Sequence, residues 1–210
     1  MNIILIGIQG CGKGTLVEGL KGEMDFSLIS VGQLLRDEVA TGSEIGKHIH
    51  ELQTAGILVD LDIVIDVLQK KLNENLSSAL IFDGFPRNTA QADALDKLLK
   101  VDLVLHLNLS KEVAINRLLS RLTCVDCSHI TKKQEVSNGV CPLCGGKLVS
   151  RSDDTVEGIN KRFEIYEKET FPLLQRYEKQ GVKVANIDAN RTPDEVLEEV
   201  LKVINNEHKI

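Results

Sequence analysis

Asn2-Ile3-Ile4-Leu5-Ile6-Gly7-Ile8-Gln9-Gly10-Cys11-Gly12-Lys13-Gly14-Thr15 follows the first Met and decides the fold. Residues 2–6 are an almost continuous apolar and β-branched run, the pattern of a strand buried on both faces of a parallel sheet. Gly at 7, 10 and 12 lets the loop turn its backbone N–H groups inward around phosphate oxygens. A helix predicted from about Thr15 brings the positive end of its dipole to the same point, and Lys13 adds a mobile charge. Glycines alone would make an ordinary turn; strand, Gly-rich loop, Lys and helix in that order make a phosphate-binding loop. The residue after Lys13 is Gly14, with a hydroxyl only at Thr15. A Mg2+ ion here is therefore expected to rely on phosphates and water more than on a side-chain hydroxyl.

Outward from this stretch, strand and helix signals alternate. Residues 79–82 (ALIF), 102–107 (DLVLHL) and 182–187 (VKVANI) are further buried-strand runs, and 27–30 (SLIS) is a weaker fifth. Asn88 with Gln91, and Ser110 before Val113, are helix starts. Asp60 precedes Val64, Val67, Leu68 and Leu72 on one face, and Thr192-Pro193 with Glu195 is a capping box with Pro at the first helical position. Alternation of this kind predicts an α/β fold with a parallel sheet covered on both faces. Two segments interrupt it. Residues 31–59 read as a helical insertion, and residues 123–150 lose helical period and gather Cys, Gly and Lys as a small subdomain with its own glue.

Composition narrows the function classes. The chain has 210 residues, 42% hydrophobic and 27% charged, with 25 basic against 31 acidic residues and a net charge of −6. That is an ordinary globular composition without the basic field of a non-specific nucleic-acid binder, so a polyanionic ligand needs a local basic site. With no export signal or membrane segment in view, the expected address is cytoplasmic and the thiols are expected to stay reduced.

The scarce arginines supply the basic site. Arg36 lies in the helical insertion, Arg87 just beyond Asp83, Arg117 and Arg121 before the Cys segment, and Arg151 and Arg162 after it. Any one of them could be a solvated surface residue; grouped around two insertions they read as clamps closing on phosphates from both sides. Arg117 and Arg121 are spaced for one helix face, and Asp153 and Asp154 are placed to aim Arg151. Asp83, at the carboxyl tip of its strand, could hold the waters of Mg2+ or cap the following turn. Cys124-x-x-Cys127 and Cys141-x-x-Cys144 have the spacing of a structural Zn2+ site with four thiolates, which leaves His129 a bystander and Cys11 a small loop residue.

The motifs GIQGCGKGT (7–15), LLR (34–36), FDGFPRNTAQA (82–92), Arg117 and Arg121, the paired CxxC, Arg151-x-Asp-Asp, Arg162 and Ile187-Asp188 together resemble the adenylate kinase family in its bacterial long-lid, zinc-bearing form. The resemblance runs from about residue 1 to 195. It implies a P-loop NTPase-like five-stranded parallel sheet forming a core (1–29, 60–120 and 153–210), an insertion that binds the nucleoside monophosphate (30–59) and a lid carrying Zn2+ (121–152). It implies reversible Mg2+-dependent transfer from ATP to AMP, giving two ADP. By the same resemblance Gly10, Cys11, Gly12, Lys13, Gly14, Thr15, Arg117 and Arg121 bind ATP. Val31, Arg36, Val59, Gly84, Arg87, Gln91, Arg151 and Arg162 bind AMP, and Lys13, Arg87, Arg121, Arg151 and Arg162 act on the phosphates in flight. Small nucleotides are the expected partners of a monomer, with neither nucleic acid nor membrane.

Three positions depart from the family pattern. Gln9 stands for Pro in the loop, Ser120 for Gly at the lid hinge, and Val31 for the Thr that meets the AMP base. Val31 leaves open a kinase acting on UMP, CMP or GMP. The Cys segment leaves open a nucleic-acid-binding zinc ribbon, although 3% aromatic content without Trp offers it few stacking platforms.

Overall fold

In the computed structural model, which describes residues 1–55, 57–127, 129–136, 138–151 and 154–207, the opening apolar run is strand β1 (Asn2–Ile6). It leads through the Gly-rich loop into α1 (Lys13–Leu20). Then come β2 (Ser27–Ser30), α2 (Val31–Ala40), α3 (Glu44–Thr54), α4 (Leu61–Leu72), β3 (Leu80–Asp83), α5 (Thr89–Leu98), β4 (Leu103–Asn108) and α6 (Lys111–Ser120). A second region holds β5 (Arg121–Cys124), β6 (Ile130–Lys132) and β7 (Leu148–Val149). The chain returns through α7 (Val156–Ile165), a wider π-helical turn (Tyr166–Thr170), α8 (Pro172–Lys179), β8 (Lys183–Asp188) and α9 (Pro193–Glu207).

The main sheet has the order β2-β3-β1-β4-β8, and each pairing in it is parallel. Its central strands are apolar on both faces because helices cover both: Ile3, Ile4, Ile81, Phe82, Leu103, Val104 and Leu105 are fully buried. Each such side chain contributes about 1.5–3 kcal/mol of burial. Strands β3, β4 and β8 each sit one residue later than the apolar runs predict. The ladder continues to polar tips, where Leu5 pairs with Asp83 and Asn108 with Asp188. Backbone bonds do not depend on side-chain polarity, so a strand can end on the carboxylate the apolar run excludes.

Local capping follows the sequence in most places. Asn88 accepts from Gln91 N, Ser110 from Val113 N, and Thr192 and Glu195 satisfy each other's backbone N–H. Asp60 precedes α4 but makes no side-chain cap there; its carboxylate is 2.8 Å from His48 Nε2 on α3, a long-range partner that local pattern does not reveal. Helix α1 begins two residues earlier than predicted, because Gly12, at φ 100°, turns the chain directly into the helix at Lys13.

Strands β5, β6 and β7 form a separate antiparallel sheet of order β6-β5-β7. Among the described residues its buried apolar cluster is Cys124, Cys141 and Leu148, flanked by Leu122 and Val136. A core that small needs another source of cohesion.

Candidate active site

All five parallel strands end at one edge, so the loops after them converge there: the Gly-rich loop after β1, Val31 after β2, Gly84–Arg87 after β3 and Ala189 after β8. Open α/β sheets bind ligands at this edge. The loop after β1 is packed without slack. A Cβ on Gly7 would sit 2.6 Å from Cys11 Sγ and 2.8 Å from Leu107 O, and one on Gly10, at φ 86°, would sit 3.0 Å from Ala114 O. Helix α6 thus supports the loop from beneath. Cys11 is buried as a small filler, and Gly14 and Thr15 are exposed at the start of α1. Lys13 Nζ donates to Gly7 O at 2.7 Å and lies 3.4 Å from Ile8 O. Its ammonium is folded over the loop mouth, where a phosphate oxygen can replace weaker carbonyl partners.

Opposite the loop, Asp83 ends β3 in register with Leu5 of β1 and Ser30 of β2. Gly84, at φ 75°, then turns the chain so that its carbonyl accepts from Arg87 Nε at 2.8 Å. The side-chain Oε1 of the buried Gln91 accepts from Arg87 N at 2.7 Å, and the Thr170 hydroxyl donates to Arg87 O at 2.7 Å, so the Arg87 backbone is braced on both sides. Burial pulls the Arg87 guanidinium below the ordinary arginine value; the Asp83 carboxylate acts the other way, and the positive charges of Arg162 and Arg36 add to the lowering. The Arg162 and Arg36 guanidiniums are each close enough to act on that of Arg87, an arrangement that an anion stabilises. Arg36 also bonds the Gln33 side chain from within α2, and Val31 is buried at the first position of that helix. Val59 is buried where the insertion returns.

The remaining arginines divide differently from the sequence expectation. Arg117 and Arg121 do not share a helix face, because α6 ends at Ser120 and Arg121 is already extended as the first residue of β5. Arg117 donates to Ala189 O at 3.1 Å and reaches Gly10 O at 3.5 Å, lying across the base of the Gly-rich loop. Arg121 instead grips Asp154 from the side, Nε to Oδ2 at 2.9 Å and Nη2 to Oδ1 at 2.8 Å, while Arg162 Nη2 bonds the same Oδ1 at 2.9 Å. Asp154 therefore joins the arginine that opens the second sheet to the one on α7. Arg151 Nε donates to Thr123 Oγ1 of β5 at 3.2 Å; Asp153, expected to aim it, lies outside the described residues.

The four Cys sulfurs lie within 4.8 Å of one another, on Cys124, Cys127, Cys141 and Cys144. The Cys127 backbone N–H aimed at the Cys124 sulfur, opposed by burial and aided by the Asp126 N–H, lowers that thiol to about 7. Cys144 is the reverse: although the Gly146 N–H favours its thiolate, the Cys127 and Cys124 sulfurs push it up to about 12. Four thiolates so close repel unless a cation sits among them, and a soft tetrahedral donor set of this kind fits Zn2+. Gly146 leaves room for it: a Cβ there would meet the Cys124 sulfur at 2.9 Å and would also clash with an Asp126 carboxylate oxygen. Such a metal supplies the cohesion the small apolar cluster lacks.

Sequence reading missed two features beside the site. One is the buried His106, held by Asn186 Oδ1 at 2.7 Å and Tyr166 OH at 3.1 Å, with the Tyr166 phenol pushed up by burial. A lone His in an apolar strand carries no signal of such partners. The other is the run of α7, the π turn and α8 between residues 156 and 179, where the sequence reading placed no helix.

Fold and site together define a P-loop α/β protein of the nucleotide-kinase type, with an arginine-lined sheet edge and a four-cysteine second sheet. The family model described as adenylate kinase matches residues 5–182. The chain is 38% identical over 209 residues to the adenylate kinase of Syntrophomonas wolfei, covering 95% of this chain and 97% of that one. It is 36% identical over 213 residues to that of Caldanaerobacter subterraneus (97% and 96% covered), and 33% identical over 213 residues to that of Clostridioides difficile (97% and 98%). The chain belongs to the adenylate kinase family of phosphotransferases.

Proposed function

We propose that the chain moves the γ-phosphoryl group of ATP onto a phosphate oxygen of AMP, one P–O bond breaking as another forms, to give two ADP reversibly. The acceptor oxygen is already ionised near neutral pH, so no side-chain base is needed and catalysis is positioning with charge neutralisation. The observation that carries this reading is the convergence of Arg87, Arg162 and Arg36 at the sheet edge that also holds the Gly-rich loop. In the proposed assignment Gly10–Thr15 cradle the ATP phosphates, Lys13 follows the transferred group and Arg117 faces the adenine. Arg36, Arg87 and Gln91, with Val31, Val59 and Gly84, receive AMP. Arg121, Arg151 and Arg162 close over the phosphates in flight. Mg2+, when bound, neutralises charge between the ATP phosphates, and Asp83 would hold its water shell.

The same reading divides the chain into a core (1–29, 60–120 and 153–210), an AMP-binding insertion (30–59) and a lid (121–152). Both flaps close on bound substrate, which excludes water that would otherwise hydrolyse ATP. The protein works as a monomer in the cytoplasm. Among the described residues no helix is long and apolar enough to cross a membrane. The test is turnover of ATP with AMP, UMP, CMP and GMP in turn, with Mg2+ and with excess chelator. AMP should be the best acceptor and chelator should abolish turnover; a faster rate with UMP or CMP would move the assignment to another nucleoside monophosphate kinase, the reading Val31 leaves open.

A further inference from the structure

Lys161 and Arg162 are neighbours on α7 but serve different parts of the molecule. Arg162 turns to Asp154 and the phosphate-side arginines. Lys161 is exposed and extends the other way, its Nζ donating to Ala55 O at 2.5 Å, a contact between residues 106 apart in sequence. Ala55 ends α3: its N–H still bonds Glu51 O, and Ile57 N–H turns back to Leu52 O. Its carbonyl is thus among the last of the helix, which the intrahelical ladder leaves without a donor and which carry the negative end of the dipole. An ammonium is the group that such an end prefers.

The position matters because α3 is the outer half of an arm. Helix α2, carrying Val31 and Arg36, packs against both α3 and α4, and His48 with Asp60 ties α3 to the chain entering α4. Lys161 secures the other end of α3 to α7. We infer that Lys161 is a positioning residue, a latch that draws the end of α3 onto α7 and holds the α2–α3 arm in its closed arrangement. The inference rests on the proposed function, in which that arm receives AMP. Because the acceptor is a main-chain carbonyl, the latch needs a cation at 161 and no particular side chain at 55. An arm that opens more often lowers the binding-competent fraction and weakens apparent AMP affinity by that fraction, without touching the reacting groups.

Steady-state kinetics on the full chain, its Lys161→Met variant and its Lys161→Arg variant test this. Lys161→Met should raise KM for AMP about fivefold, leave KM for ATP unchanged and leave kcat equal or higher, since arm opening then hinders product release less. Lys161→Arg should return to the parent values. An unchanged KM for AMP, equal rises in both KM values, or an Arg variant that behaves like Met would overturn the latch. Hydrogen exchange of the last turn of α3 in nucleotide-free protein gives a reading independent of turnover: the Met variant should exchange about threefold to tenfold faster, and equal rates refute the inference. A parent protein inactive with AMP would instead refute the proposed function, leaving the exchange measurement to decide on the latch.

Discussion

Replacing Asp154 by Asn keeps the shape of the side chain and removes the charge that joins Arg121 to Arg162. The carboxylate is 2% exposed and accepts from both guanidiniums, Arg121 side-on through two nitrogens and Arg162 through one. An Asn offers one oxygen, and its NH2 must face a guanidinium N–H, donor against donor. Removing one partner of a fully buried pair costs about 3–5 kcal/mol. Here the Arg121 and Arg162 side chains are 15% and 18% exposed, so part of the loss is recovered by water. A cost of about 2 kcal/mol follows, which for a protein of this size lowers Tm by about 4–8 °C. Activity should suffer more than stability, because the two arginines would separate by their own repulsion. A fall in kcat of about 30-fold to 100-fold is expected, the equivalent of about 2–3 kcal/mol of lost positioning. Thermal melts and turnover of ATP with AMP, measured on the same preparations, decide it. A variant with kcat within about threefold of the parent would show that Asp154 does not organise the clamp.

Lys13→Met should lower kcat by about three orders of magnitude while Tm hardly moves, since the ammonium contacts the Gly7 and Ile8 carbonyls and the Cys11 sulfur over the loop mouth and forms no ion pair among the described residues; a variant within about tenfold of the parent rejects its role at the transferred group. The protein should carry one Zn2+ per chain, and Cys144→Ser should release it and expose residues 121–149 to protease before the main sheet melts, because the metal's binding energy is that segment's folding energy; metal analysis that finds no zinc in native protein contradicts this. Val31→Thr adds a hydroxyl at a buried position of nearly constant shape. It should sharpen discrimination for AMP over other monophosphates by about fivefold, or about 1 kcal/mol, with KM for ATP unchanged. Equal discrimination in both proteins would place the AMP base elsewhere.

The parallel sheet, the Gly-rich loop and the metal site were legible in the sequence. Each depends on local pattern: apolar runs of strand length, glycines and Lys at fixed offsets before a helix, and paired CxxC knuckles place their chemistry through backbone geometry within a few residues. The same holds for the caps at Asn88, Ser110 and Thr192, whose partners lie three residues away. Which charged groups meet depends on the folded arrangement. Asp60 looked like a cap and pairs with His48; Arg117 and Arg121 looked like one helix face and are separated by the helix end at Ser120; Asp154 binds arginines 33 residues upstream and 8 downstream. Lys161 finds a main-chain carbonyl 106 residues away, for which no side-chain signal exists. Long charged side chains have many partners of similar energy along an unfolded chain, and folding selects among them by bringing the ends of helices and strands to one edge of the sheet.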